Sequence, residues 1–166
     1  GGDERSGSRP APRKGVVVIG GVAAAIALAV PVIQHFEGLR QTGYGDVVGV
    51  ATSCFGHTGP DAVVGRRYSM AECEGQLARD LERTSDGIAD CIKVPVPANS
   101  YAAFVSFAFN VGPTAFCRST VVKRLNAGDL RGACAGLSAW VYAGGKKWPG
   151  LVRRRAAERA LCEEGL

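Results

Sequence analysis

An uncharged stretch of 19 residues, Gly15 to Ile33, constrains this chain more than any other feature of its sequence. Such a stretch is long enough to cross a bilayer as one helix, and the three basic residues just before it favour a cytoplasmic N-terminus. Ten of its residues are Val, Ile or Leu, which gives about 3 to 6 kcal/mol on insertion. We therefore predict a weak membrane anchor over residues 15–34, preceded by a flexible basic segment over residues 1–14.

Two other interpretations of the stretch stay open. It contains the Ala-x-Ala pattern of a signal-peptide cleavage site at Ala25-Ile26-Ala27. It could also be a buried core helix, although continuous apolarity without periodicity argues against that. Both export interpretations place the rest of the chain in an oxidising compartment, where the six cysteines would form disulfides.

Composition excludes several classes of protein. The chain has only two histidines, His35 and His57, and no Cys-x-x-Cys pair, so a three-histidine zinc site or a thioredoxin-like centre is not expected. His57 stands in a glycine-rich turn, where a structural role is the simpler interpretation. A net charge of +5 and an isoelectric point near 9.0 indicate an anionic partner. We predict no metal and no cofactor.

The remaining sequence predicts an α+β fold. Residues 42–58 are β-branched, aromatic and interrupted by glycine, as in a small β-hairpin or a three-stranded sheet. A capping box at Ser69 to Glu72 starts a long amphipathic helix over 70–92, and residues 99–111 form a buried central helix. Ser119 and Asp129 would cap two short helices, and a last helix runs from Pro149 to Cys162. The expected architecture is a small β-hairpin lobe and a larger helical lobe joined by the long helix.

Three residues around the predicted hairpin could perform acid-assisted hydrolysis. Glu37 follows an apolar stretch and Phe36, surroundings that favour a protonated carboxyl. Asp46 lies in a glycine-flanked turn, where water and backbone N–H groups favour the ionised form, and the Thr52 hydroxyl could orient a water. Two carboxyls in such different environments are what glycoside hydrolysis requires.

Several further motifs give the chain a resemblance to a known family. The stretches that carry it are Glu37-Gly38-Leu39 to Thr52, Gly56 to Gly59, Ser106 to Gly112, Ser119 to Asp129, Trp140 to Lys146, and Gly150 to Arg159, and the resemblance covers about residues 15–162. The pattern resembles the phage-type lysozymes, or endolysins, of glycoside hydrolase family 24, in particular the subgroup with a signal-anchor-release segment. The resemblance implies a lysozyme-like catalytic domain over residues 35–166.

The resemblance implies hydrolysis of the β-1,4 bond between N-acetylmuramic acid and N-acetylglucosamine in peptidoglycan. Glu37 would protonate the leaving oxygen, and Asp46 and Thr52 would position the attacking water, with inversion. The two carboxyls would then lie about 6.5–9.5 Å apart. Candidate substrate-binding residues are Phe109, Asn110, Tyr142 and Gly144, which could equally be packing and turn residues.

The six cysteines are expected to be structural. Of the fifteen possible pairings we favour Cys54–Cys73, Cys91–Cys117 and Cys134–Cys162. Residues 15–36 contain no cysteine, so we expect activation by release and refolding of the anchor and not by thiol exchange. The protein would begin in the host inner membrane and end in the periplasm as a monomer, with no nucleic-acid partner.

Two other functions stay open. A lytic transglycosylase would need only the glutamate and would leave an anhydro product. A non-enzymatic wall-binding or membrane-disrupting protein would instead use the basic run Arg153 to Arg155, which on a helix is most often a solvated face.

Overall fold

The computed structural model describes residues 15–166, and the segment predicted to be flexible, 1–14, lies outside the described residues. The uncharged stretch does not form one helix: it contains strand β1 (Val18–Ile19), a turn, and helix α1 (Val22–Glu37). The turn is at Gly20 and Gly21, whose φ angles of 97° and 94° favour glycine. Among residues 15–166, no helix has both the length and the apolarity needed to cross a membrane.

The β lobe is a hairpin of β2 (Arg40–Gly45) and β3 (Ala51–Cys54), in which Tyr44 pairs with Thr52. The predicted hairpin is confirmed, although it begins two residues earlier. The chain after β3 packs back on it at Gly43, where an added Cβ would come within 1.9 Å of the Val63 carbonyl oxygen. That contact ties the hairpin to the loop leading into the helical lobe.

Helix α2 (Met70–Ala89) connects the two lobes and starts at the predicted capping box of Ser69 and Glu72. It ends three residues before the predicted end at residue 92. The backbone just after the helix is instead bound by the Asn126 side chain. Its Nδ2 donates to the Cys91 carbonyl, and its Oδ1 accepts from the Lys93 N–H, both at 2.8 Å. After α2, strand β4 (Val96–Pro97) pairs in parallel with β1.

Helix α3 (Ala98–Val111) is the centre of the core, and residues 100–108 are all buried, as predicted. Helix α1 packs on it through Ala25, Ala29 and Ile33, which are four residues apart and fully buried. The other faces of α1 are more open. The interpretation of this segment as a core helix is therefore correct for the face of α1 that contains Ala25, Ala29 and Ile33.

The rest of the helical lobe surrounds α3. Its elements are α4 (Pro113–Cys117), α5 (Thr120–Asn126), α6 (Leu130–Gly136), a 3₁₀ turn (Leu137–Ala139), β5 (Tyr142–Ala143), β6 (Lys146–Lys147) and α7 (Pro149–Glu163). The predicted caps Ser119 and Asp129 accept hydrogen bonds from the Val122 and Gly132 N–H groups. The α+β fold with two lobes joined by a long helix is confirmed.

Three disulfides brace this arrangement, and all three favoured pairings are confirmed. Cys54–Cys73 joins β3 to α2, Cys91–Cys117 joins the chain just after α2 to α4, and Cys134–Cys162 joins α6 to α7. Each closes a loop of 19 to 28 residues, which in the chain-entropy model gives about 3 kcal/mol per bridge.

Candidate active site

Glu37 is the last residue of α1 and lies between the two lobes. Its Oε1 accepts a hydrogen bond from Arg154 Nη1 of α7 at 2.8 Å, and its side chain is 23% exposed. On its other side lies Gly56, where an added Cβ would come within 2.7 Å of Glu37 Oε2. The prediction that Glu37 has apolar surroundings is therefore wrong in one respect, because the Arg154 guanidinium is bound to its carboxyl group.

Arg154 belongs to a buried charge network on α7. Glu158 is fully buried and accepts from Ser106 Oγ at 2.6 Å and from Arg155 Nη1. Its Oε2 also lies 3.5 Å from Arg154 Nε, and Arg155 Nη2 in turn donates to Asn110 Oδ1. The network thus connects Glu37 to the central helix through α7.

The prediction that Arg153 to Arg155 form a solvated face is wrong for two of the three. Arg154 and Arg155 are 4% and 1% exposed. Glu158 lies four residues after Arg154 and three after Arg155 and pairs with both, and Glu37 supplies the second carboxylate through Arg154. Arg153 is exposed.

Glu37 lines an open cleft of about 620 Å³. The β-lobe loop contributes residues 56–59, α2 contributes Asp80 and Thr84, and α3 contributes Phe109 and Asn110. A second cavity of about 530 Å³ shares Glu37 and Asn110 and continues toward Trp148 and Leu151. The two cavities adjoin each other at Glu37 and Asn110, and we refer to them together as the groove.

Asp46 and Thr52 lie on the hairpin and are not among the residues that line these two cavities. Asp46 Oδ1 accepts hydrogen bonds from the Val48 and Val50 N–H groups at 2.9 and 2.8 Å. Thr52 is 4% exposed and its hydroxyl donates to the Val50 carbonyl at 3.0 Å. Both side chains therefore shape the turn at the hairpin tip.

The four predicted substrate-binding residues divide into two pairs. Phe109 and Asn110 line the groove beside Glu37. Tyr142 and Gly144 lie on the β5–β6 hairpin and line neither of its two cavities. Gly144 and Gly145 have φ angles of 58° and 75°, the combination that a tight two-residue hairpin turn requires.

His57 is buried between two carboxylates and stands between the cleft-lining residues Gly56 and Thr58. Its Nδ1 lies 2.8 Å from Asp80 Oδ2 and its Nε2 lies 2.6 Å from Asp61 Oδ1. Both ring nitrogens are therefore engaged, which suits a structural role that joins the β-lobe loop to α2. Within residues 15–166, no group of three His, Cys, Asp or Glu side chains is arranged to hold a metal ion.

This cluster makes stability depend on pH. Burial opposes protonation of the imidazole, but its hydrogen bonds to Asp61 and Asp80 and their charges outweigh burial and raise the pKa of His57 above 6.5. The same contact lowers the pKa of Asp61 below 3.8. The stability that His57 contributes is therefore complete below pH 6.5 and is lost as the pH rises through the pKa of His57 in the folded protein. The stability that Asp61 contributes is present above pH 3.8 and is lost as the pH falls through the pKa of Asp61 in the folded protein.

We expect His57→Gln to lower the free energy of unfolding by about 1–3 kcal/mol at neutral pH and to remove the alkaline decline in stability. Urea unfolding at a series of pH values measures both effects. His35→Gln, at the exposed histidine, is the matched control and should keep the decline. Parallel pH profiles for wild type and His57→Gln would contradict this assignment.

Sequence reasoning missed Gly56 and Arg154, which lie against Glu37, and Ser106 and Glu158, which contact Arg154. One signal was available for two of them, because Arg154 and Glu158 are four residues apart on a helix, at ion-pair spacing. Spacing alone does not distinguish an exposed pair from a buried one.

Comparison with known proteins identifies the family. The phage lysozyme family model matches residues 34–158, which include Glu37 and the whole Arg154–Glu158 network. The chain belongs to the phage lysozyme family. The SAR-endolysin of Bacteriophage PS119 is 47% identical over 126 residues, covering 76% of this chain and 75% of that relative. The SAR-endolysin of Enterobacteria phage P21 is 42% identical over 158 residues, covering 92% and 96%.

Solved structures of this phage lysozyme's relatives agree with the fold. A mutant of P22 lysozyme superposes with a TM-score of 0.75 at 33% identity, covering 81% of this chain and 94% of that one. The muramidase domain of SpmX from Asticaccaulis excentricus gives 0.75 at 32% identity, covering 81% and 93%. The predicted lysozyme-like fold and the SAR-endolysin subgroup are confirmed, and the protein is a lysozyme-type glycoside hydrolase.

Proposed function

We propose that this phage lysozyme hydrolyses the β-1,4 bond between N-acetylmuramic acid and N-acetylglucosamine in peptidoglycan. The observation that carries the proposal is the position of Glu37, whose carboxyl side chain lines both of the adjoining surface cavities that make up the groove. A groove of that form accepts a long glycan strand and exposes an internal bond to the carboxyl.

Glu37 acts as the general acid and protonates the glycosidic oxygen of the leaving sugar. Its Oε1 is held by Arg154, and Gly56 leaves room for Oε2. The fixed orientation of the carboxyl lowers the entropic cost of reaching the reacting oxygen. When Glu37 gives up its proton, the neighbouring guanidinium stabilises the carboxylate that forms.

Asp46 and Thr52 act on the opposite face of the sugar and position the attacking water. In support, only Asp46 Oδ1 is used by the Val48 and Val50 N–H groups, which leaves Oδ2 without a hydrogen bond from residues 15–166. This arrangement gives inversion, and it requires the two carboxyls to stand about 6.5–9.5 Å apart when substrate is bound. No metal or cofactor takes part.

Mass spectrometry of a peptidoglycan digest made in ¹⁸O-labelled water tests the reaction. Hydrolysis adds one labelled oxygen to the new N-acetylmuramic acid end. The rival transglycosylase reaction leaves an unlabelled 1,6-anhydro end, 18 mass units below the ordinary hydrated one, and that product would overturn the proposal.

In the cell, the enzyme acts as an endolysin that lyses the host at the end of the phage cycle. We propose that residues 15–34 first anchor it in the inner membrane, with the N-terminus in the cytoplasm, and that release gives an active periplasmic monomer. The same stretch supplies most of α1, the helix that ends at Glu37. While it crosses the bilayer it cannot pack on α3, so the cleft stays incomplete.

Three substitutions in the anchor separate release from folding. Ala23, Ala24 and Ala27 are exposed on α1, whereas Ala25 and Ala29 are buried against the core. Changing the three exposed alanines to Leu adds about 1–2 kcal/mol of insertion free energy and spares the buried face. We expect roughly 5- to 30-fold less periplasmic enzyme and delayed lysis, measured by fractionation and culture turbidity.

The control places Gln at the same three positions. It should release faster than wild type, because Gln weakens insertion and is tolerated on an exposed helix face. Equal release from the Leu and Gln variants would contradict the anchor proposal and leave the hydrolase proposal intact.

A further inference from the structure

The loop that follows the β2–β3 hairpin confines the Glu37 carboxyl on one side. Gly56 has a φ of 72°, and an added Cβ there would come within 2.7 Å of Glu37 Oε2. Arg154 binds the other oxygen, Oε1, so Oε2 is left to carry the acid proton and the loop backbone is the wall beside it. Gly56, Thr58 and Gly59 also line the cleft. A displacement of this loop would therefore change the surroundings of the proton-donating oxygen.

His57 fastens this loop to the rest of the protein. Its backbone N–H donates to the Ser53 carbonyl at 2.8 Å, and its carbonyl accepts from the Ser53 N–H at 2.9 Å. Its buried ring contacts Asp80 of α2 through Nδ1 and Asp61 through Nε2. One residue thus joins β3, α2 and the chain beyond residue 59, and these contacts fix the position of the neighbouring Gly56.

Both carboxylate contacts require a proton on the ring nitrogen. A carboxylate oxygen only accepts, so Nδ1 and Nε2 must each donate, and the ring is then the doubly protonated imidazolium. The separations of 2.8 and 2.6 Å are short enough for charge-assisted hydrogen bonds. Burial opposes the charge, but the hydrogen bonds and charges of Asp61 and Asp80 outweigh it and raise the pKa of His57. The observed geometry therefore belongs to protonated His57.

Loss of one proton would exchange the partner of Nε2. That proton is the one to leave, because the side chain of its partner Asp61 is 48% exposed and that of Asp80 only 13%. The lone pair of Nε2 then faces Asp61 Oδ1, and two acceptors 2.6 Å apart repel each other. The Gly59 N–H lies 3.2 Å from the same nitrogen and can donate to it instead. The exchange therefore pushes Asp61 away and pulls on the backbone of a residue that lines the cleft.

Further charged groups face this cluster from the helices packed around it. They are Arg79 and Arg83 of α2, and Glu37 of α1 with its partner Arg154 of α7. Arg83 Nη1 lies 3.8 Å from Asp80 Oδ1, but its side chain is 72% exposed, so water weakens its effect. Arg79 favours the ionised form of Asp61. The charges that act on the ring itself are chiefly those of Asp61 and Asp80, so the loop responds to the proton on His57.

We propose that His57 is a positioning residue for catalysis: it holds residues 56–59 against the Glu37 carboxyl while both ring nitrogens are bound to carboxylates, and it loosens this wall when Nε2 loses its proton. The inference rests on the proposed function, in which Glu37 is the general acid. It goes beyond stability, because it concerns the reaction rate of each folded molecule. A catalytic group misplaced by about 1 Å can lose about 100-fold in rate. For a smaller shift we expect kcat to fall about 3- to 30-fold, and KM to change less than about twofold, as the ring loses its proton.

The experiment compares the pH profile of kcat with the titration of the His57 ring in the same full-length chain. The rate is measured from the reducing ends released from purified peptidoglycan, and the ring is followed by NMR between about pH 5 and 9. The sequence has two histidines, so His35→Gln assigns the ring signals. Circular dichroism at each pH gives the folded fraction, and kcat is expressed per folded molecule. We expect a fall in kcat whose midpoint equals that of the His57 signal.

Asp61→Asn distinguishes this fall from the ionisation of Glu37 itself. It removes one of the two carboxylates that favour the imidazolium and leaves a carbonyl oxygen that can accept from Nε2. The ring midpoint and the fall in kcat should therefore move together to lower pH. The matched control is Asp86→Asn, which removes the same charge from an exposed position of α2 that does not line the groove. It should leave both midpoints in place.

Three outcomes would overturn the positioning role of His57. They are a ring midpoint that moves in Asp61→Asn while the fall in kcat stays, a constant kcat through the ring titration, and a change confined to KM. If wild type releases no reducing ends at any pH, the proposed function itself fails, and the inference that rests on it fails with it.

Discussion

Replacing Glu37 with Gln is expected to lower the rate of peptidoglycan hydrolysis by about 10²- to 10⁴-fold, because the amide cannot donate the proton that the leaving sugar needs. The fold should survive, since Gln has nearly the same shape and its carbonyl oxygen can accept from Arg154 as Oε1 does now. Clearance of cell-wall turbidity measures the loss, and pull-down on purified walls measures binding.

The control is Glu74→Gln, which removes the same charge from an exposed site on α2. It should clear walls at the wild-type rate. Near-normal clearance by Glu37→Gln would contradict the assignment of the general acid and favour a non-enzymatic mode of lysis. Loss of clearance with binding retained would agree with acid catalysis.

The local elements of this fold were predictable because their signals are local. Ser69 and Glu72 satisfy each other's backbone donors within four residues, and the structure contains that exchange. The continuous apolarity of residues 99–111 likewise indicates a helix enclosed on all sides. Neither conclusion needs knowledge of distant parts of the chain.

The end of α2 and the fate of the uncharged stretch depended on distant contacts. Helix α2 ends at Ala89, and Asn126, more than thirty residues away in sequence, hydrogen-bonds the Cys91 carbonyl and the Lys93 N–H just after it. Gly20 and Gly21 allow the turn that divides the stretch, but strand β1 forms only because β4 is there to pair with it. Hydropathy counts cannot contain that information.

The candidate site was predictable only in part, because some of its residues lie in recognisable motifs and others are positioned by distant contacts. Family motifs drew attention to Glu37, Phe109 and Asn110, which the structure brings to one groove. The positioning of Glu37 by Arg154 was not predictable, because a run of three arginines does not reveal which of them faces inward. Burial of two guanidiniums becomes understandable only once Glu158 is seen between them and Ser106.

Because two buried guanidiniums depend on the Glu158 carboxylate, its replacement should destabilise the protein more than any other substitution proposed here. Burial lowers the pKa of Arg155, and the charge of Glu158 opposes that effect. Glu158→Gln removes the anion from a fully buried site and leaves two buried guanidiniums with less compensation. We expect the free energy of unfolding to fall by about 3–5 kcal/mol, measured by urea denaturation with the disulfides intact.

Helix α7 offers an exposed counterpart to that test. Arg159 Nε and Glu163 Oε1 lie 2.7 Å apart at the same four-residue spacing as Arg154 and Glu158, but both side chains are about 40% exposed. Glu163→Gln should therefore cost less than about 1 kcal/mol. If the two variants lose similar stability, burial is not what gives Glu158 its effect. If Glu158→Gln is as unstable as expected, its remaining folded fraction should also hydrolyse peptidoglycan more slowly. The reason is that Arg154, which orients Glu37, then lacks its contact with the Glu158 carboxylate.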